Sequence, residues 1–174
     1  EQLILVILSY FLSSILIAIP FYLSNYQVTF LNSIFEATSG LTGTGFSIFK
    51  NIKHLDPTLI LWRSSSQWIG GLFFLFILLI VFSNKLFNYK MTNLTFSDEN
   101  NFRSNQNIKD RVLKIFIIYI LLSIIILTLL NLSGLRLFNS LHLSMTLVSG
   151  GGFLPTDSIS KIIYTKFQKI IFIF

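Results

Sequence analysis

The segments GLTGTGF at 40–46 and SGGGF at 149–153 gather glycine, threonine and serine in a chain otherwise rich in Leu, Ile and Phe. Their side chains offer little acid–base or nucleophilic chemistry, so the chemistry on offer is that of the main chain. Glycine reaches φ > 0 at small cost and lets backbone approach a neighbour closely. Backbone carbonyls arranged in rings replace the hydration shell of a cation. The hydroxyls of Thr42, Thr44 and Ser149 are suited to hydrogen-bond nearby backbone and hold such loops open. A nucleotide-binding loop is disfavoured: Gly40, Gly43 and Gly45 have the spacing G-x-x-G-x-G, not G-x-G-x-x-G, and no Lys-Ser/Thr follows. Tight turns or helix-packing notches are the bland alternative for one copy; a second copy in the same context weighs against it.

The surrounding elements give these loops their setting. The chain has 174 residues, 53% of them hydrophobic and only 11% charged. Its mean hydropathy is +0.73. So little charge does not cover the surface of a soluble domain, and an all-α membrane protein is expected. Residues 3–23 form an uncharged run, roughly 30 Å long as a helix and enough to cross the hydrocarbon core. Spans are likewise expected at 58–83 and 112–135, with the start of another at 167–174. Short apolar segments at 30–41 and 138–148 cannot cross a bilayer and read as re-entrant helices leading into the loops 42–46 and 149–153. Non-helical backbone at membrane depth is tolerated only where it is buried in protein or lines a watery cavity.

The two halves repeat. Asn32-Ser33 pairs with Asn139-Ser140, Gly43 with Gly150, Gly45 with Gly152 and Phe46 with Phe153, all at an offset of 107 residues. The first unit is 1–83, a polar linker occupies 84–111, and the second, truncated unit is 112–174. Residues 84–114 carry six Lys/Arg, against two (Lys50, Lys53) in 24–57. By the positive-inside rule the linker is cytoplasmic and both loops lie on the outer side. The net charge of +6 is spread along loops beside apolar runs, so no nucleic-acid partner is expected. The chain opens on Glu1-Gln2 without a basic n-region and ends in KIIFIF, an apolar run barely begun. It reads as a piece of a longer protein.

LNSIFEATSGLTGTGFSIF followed by LILWRSSSQWIGGLFFL resembles the first pore repeat of the bacterial Trk/Ktr potassium transporters, which belong with the plant HKT proteins. IKDRVLKIFIIYILL and FNSLHLSMTLVSGGGFLPTDSIS resemble the entry to the second repeat and its pore loop. The resemblance implies repeated units of helix, pore helix, filter loop and helix in a potassium-channel-like pore, four to a polypeptide. It assigns the filter to Thr42, Gly43, Thr44 and Gly45 and to Ser149, Gly150, Gly151 and Gly152, with potassium held at backbone carbonyls. Glu36, Phe46 and Phe153 support those loops. In plant relatives, serine at the position of Gly45 goes with sodium preference, so glycine implies potassium. Bacterial members usually have Thr where Gly43 and Gly150 stand, and a small residue where Phe46 stands. The implied activity is potassium uptake, with no cofactor beyond the transported ion, in a multi-pass protein of the bacterial inner membrane. The implied partners are lipid, the remaining pore repeats of the same chain, a second transporter in a homodimer, and a cytoplasmic nucleotide-binding regulatory subunit. A non-conducting scaffold or assembly subunit of a cation transport system is the alternative.

Glu36 is an intramembrane carboxylate, a functional candidate by default, and is expected to brace the first loop, with raising cation density near it the alternative. Arg63 and Gln67 lie one turn apart on one helix face. Arg63 reads as an interfacial anchor, with pairing to Glu36 the alternative. Gly70-Gly71 suit close helix packing, and Trp62 and Trp68 suit the interface and packing. Asp157 reads as capping the outer loop, with attraction of cations the alternative. His54 and His142 have no ligand partners at metal spacing, so no transition-metal site is expected. The chain has no cysteine, and its few acids are dispersed, so no catalytic constellation is expected.

Overall fold

The computed structural model describes residues 2–91, 100–156, 158 and 162–173, and these residues contain helices and no strand. Helix α1 is Gln2–Tyr22, α2 Phe30–Leu41, α3 Pro57–Met91, α4 Asn100–Leu132, α5 Leu137–Ser149 and α6 Lys166–Ile173. Each unit thus runs long helix, short helix, loop; the first then continues into the long helix α3, the second into the eight-residue α6. Asp157 lies outside the described residues.

Local chemistry sets the ends that matter. Thr29 caps α2, its side chain accepting from the Asn32 N–H. Pro57 opens α3, where its missing N–H costs nothing, and the Asp56 carbonyl accepts from the Leu59 and Ile60 amides. Gly150 caps α5 in the left-handed conformation, φ 68°. The polar linker expected at 84–111 is largely helical: α3 runs on to Met91 and α4 begins at Asn100, with 92–99 outside the described residues. The reason is local. No glycine or proline stands between Gly71 and Gly134, so nothing breaks the helices where they leave the apolar zone. Helix α4 ends at Leu132, before the Gly134 turn at φ 92°, rather than at 135.

Each unit builds its own small core. In the first, Ile17, Ala18 and Phe21 of α1 meet Ala37 and Leu41 of α2 and Leu59 and Ile60 of α3. In the second, Leu130, Leu135, Leu143, Ile162 and Ile163 cluster together. Helix α3 joins the units. The Trp62 indole donates to the Ile17 carbonyl of α1 at 3.1 Å, and the Trp68 indole to Ser123 of α4 at 2.8 Å. The stretches Ile4–Tyr22 and Lys109–Leu132 are long and apolar enough to cross a membrane. Only 22% and 6% of their respective windows are buried, which is the reverse of a soluble core helix. The chain is an all-α membrane protein.

Candidate functional site

The two glycine loops meet. A Cβ placed on Gly45 would lie 2.6 Å from the Gly152 Cα and 2.9 Å from its nitrogen. A Cβ on Gly152 would lie 3.2 Å from the Gly45 Cα and 3.8 Å from the carbonyl oxygens of Thr44 and Gly45. Gly45 also holds φ 77°, a region that side chains rarely adopt. Gly43 and Gly150, where Thr is the more usual residue in the resemblance, both hold left-handed φ of 70° and 68°.

The hydrogen bonds repeat at the same offset as the sequence. Thr44 N–H donates to the Ser39 carbonyl at 3.1 Å, and Gly151 N–H to the Thr146 carbonyl at 3.0 Å. Gly43 N–H donates to Gly40 at 3.0 Å, and Gly150 N–H to Leu147 at 3.2 Å. The Ser39 hydroxyl donates to the Phe46 carbonyl at 2.6 Å, and the Thr146 hydroxyl to the Phe153 carbonyl at 2.9 Å. These amides therefore turn back into the structure. Among the described residues, no hydrogen bond is donated to the carbonyl oxygens of 42–45 or 150–152. A cavity of about 210 Å³ lies where both short helices end, lined by Thr42, Gly43, Ser149 and Gly150 together with Gly70 and Gly71.

The first loop is tied from behind by Glu36, which is fully buried. Its Oε1 accepts from Arg63 Nε at 2.8 Å and from the Ser47 hydroxyl at 2.9 Å; its Oε2 accepts from the Ile48 amide at 2.9 Å. Arg63 also donates through Nη2 to Ser47 at 2.9 Å, and its guanidinium lies 4.2 Å from the Phe153 ring centroid. Arg63 is 1% exposed, so it is a buried partner of Glu36, not an interfacial anchor. A carboxylate within reach across the turn holds the head group inside. The offset of 107 sets Phe46 opposite Phe153, yet Phe46 is 71% exposed and Phe153 only 1%.

Helix α3 seats both short helices. A Cβ on Gly70 would lie 2.1 Å from the Leu41 carbonyl oxygen, and one on Gly71 2.9 Å from the Ser149 Cα. The glycine pair gives one notch to each helix end. Further along, Ser64 Oγ and His142 Nδ1 stand 2.7 Å apart, both buried.

The model of the family described as "TrkH: Cation transport protein" matches residues 3–174. This chain belongs to the TrkH cation transport family. It is similar to an uncharacterised cation transporter of Methanocaldococcus jannaschii, 32% identical over 167 residues, 95% of this chain and 34% of the relative. It is similar also to the Trk system potassium uptake protein TrkG of Escherichia coli, 28% identical over 157 residues, 86% of this chain and 32% of that protein. A third relative is the Trk system potassium uptake protein TrkI of Halomonas elongata, 35% identical over 72 residues, 41% of this chain and 15% of that protein. The chain spans about a third of the length of the first two relatives. No solved structure matches it.

In this TrkH-family chain the structure brings together most of the residues singled out from sequence, but not Phe46, which is exposed rather than packed behind its loop. Thr42, Gly43, Thr44 and Gly45 adjoin Ser149, Gly150, Gly151 and Gly152, with Glu36 behind the first loop and Phe153 behind the second. Two residues were not assigned a part in it from sequence. Gln67 reaches the second loop, its Oε1 accepting from the Phe153 amide at 3.2 Å. His142 packs on Phe138 and pairs with Ser64. Both depend on partners 78 or more residues away, which no local spacing announces. Among the described residues no group of His, Asp and Glu is placed to hold a metal ion.

Proposed function

We propose that the TrkH-family chain supplies the first unit and most of the second of a potassium-conducting pore, selecting the ion with the carbonyl oxygens of 42–45 and 149–152. The observation that carries this reading is the combination at the loops: amides turned inward, carbonyls left without donors, and the Gly45 and Gly152 backbones in contact. A dehydrating K⁺ needs acceptors held at fixed spacing and no competing donors, and this arrangement offers both. The C-terminal ends of α2 and α5 carry partial negative charge and open on one cavity, which further favours a cation. The names of the Escherichia coli and Halomonas relatives support potassium as the ion. In this reading further units of the same polypeptide complete the pore, which sits in the bacterial inner membrane as a homodimer with a cytoplasmic nucleotide-binding regulator.

The test is growth of uptake-deficient cells in limiting potassium, with the full-length protein supplied. Rescue together with K⁺-dependent uptake of a tracer is expected. A protein that reaches the membrane in normal amount but supports neither would overturn the transport reading in favour of a scaffold.

A further inference from the structure

Gln67 is fully buried and belongs to the first unit, yet its side chain's only hydrogen bond among the described residues is to the second loop. Its Oε1 accepts from the Phe153 amide, directly after Gly152, at 3.2 Å. The same carboxamide closes on Gly151: a Cβ there would lie 2.4 Å from Gln67 Cδ and Oε1 and 2.6 Å from Nε2. Glu36 does the equivalent for the first loop, since its Oε2 accepts from the Ile48 amide. The two loops are therefore braced differently. The first is held by a carboxylate on its own short helix, the second by a carboxamide on the long helix of the preceding unit. At the position related to Glu36 by the 107-residue offset the second unit carries Leu143, which has no acceptor to offer.

We infer that Gln67 is a positioning residue for ion selection: it fixes the second loop from behind, across the boundary between units, and it is the reason position 151 is glycine. The inference rests on the proposed transport function. Gln67 touches no ion. It sets the spacing of the carbonyls at Gly151 and Gly152 by anchoring the next amide and filling the space beside Gly151. Loss of the acceptor leaves the Phe153 N–H buried and unpaired, and the loop relaxes to find another partner. A small shift in carbonyl spacing weakens discrimination between two cations of equal charge before it stops the passage of either.

The experiment uses the full-length protein in uptake-deficient cells and reads three quantities: membrane abundance, maximal K⁺ uptake, and inhibition of that uptake by Na⁺. Gln67→Leu keeps volume and removes the acceptor. Gly151→Ala keeps Gln67 and forces its carboxamide aside. Each is expected to lower K⁺ over Na⁺ discrimination by about tenfold, the scale of one lost buried hydrogen bond. The double variant is expected to be no worse than either single one, because both break the same contact. Gln67→Glu, which retains an acceptor, is expected to keep most of the discrimination. Unchanged discrimination in both single variants, with wild-type uptake intact, overturns the inference alone. Additive losses in the double variant, or absence of both single variants from the membrane, also overturn it, assigning these residues to general packing. A wild-type protein that takes up no K⁺ overturns the transport reading and this role with it.

Discussion

Gly45 is the residue on which two constraints fall together. Its φ of 77° disfavours any side chain, and the Gly152 backbone occupies the space a Cβ would need. Gly45→Ser should therefore push the second loop aside and weaken discrimination of K⁺ against Na⁺, with the helices intact. Competition uptake assays on the full-length variant measure this, and unchanged selectivity in a working transporter would contradict the assignment. The Glu36–Arg63 pair makes a different prediction, about stability. A buried charge that loses its partner costs about 3–5 kcal/mol, whereas removing both charges together costs far less. Glu36→Leu, the residue the second unit carries at Leu143, should lower the thermal midpoint sharply, and adding Arg63→Met should restore much of it. Equal, additive losses in detergent-solubilised protein would show that the two charges do not depend on each other.

At the scale of elements, α3 is the part both units share, and its glycine pair decides how closely the short helices approach. A methyl at position 70 meets the backbone carbonyl of Leu41 at 2.1 Å, so α2 itself must move. At position 71 the nearest atom is the Tyr119 hydroxyl at 2.7 Å, which belongs to a side chain, although Ser149 backbone follows at 2.9 Å. Gly70→Ala should accordingly reduce uptake more than Gly71→Ala at matched membrane abundance; the reverse order would mean that the α2 end is not what Gly70 accommodates. Much of this scaffold was legible in the sequence, because apolar run length and glycine placement are local signals. The ranges of the two short helices follow from where the apolar segments start and where glycine interrupts them. The long-helix ends were not legible: in 84–111 polarity marks where the apolar zone stops, not where the helix stops. Nor does anything beside Gln67 in sequence point to an amide 86 residues away. Arg63 illustrates the same limit, since a charge near a span end suggests a water-facing anchor until a buried carboxylate is found opposite it.

For the whole molecule, the outward faces of α1 and α4 suit a bilayer, and the distribution of charge predicts an orientation in it. Ile4, Leu8, Phe11 and Leu12 on α1 and Phe116, Leu121 and Ile125 on α4 are exposed, a surface suited to hydrocarbon. The positive-inside rule predicts the six Lys/Arg of 84–114 on the cytoplasmic side and the loop carrying Lys50 outside. This matters for the proposed function, because loops on the inner side would reverse the order in which an incoming ion meets them and the cavity at the ends of α2 and α5. The absence of cysteine from these 174 residues makes the orientation directly measurable. Lys50→Cys and Lys109→Cys, both at exposed positions, are introduced singly into the full-length protein, with any cysteine elsewhere replaced. In intact spheroplasts a membrane-impermeant maleimide should label position 50 and leave position 109 untouched until the membrane is permeabilised. Labelling of 109 from outside, with 50 protected, would invert the topology. It would place the negative ends of α2 and α5 towards the external medium, where they would meet an entering cation first.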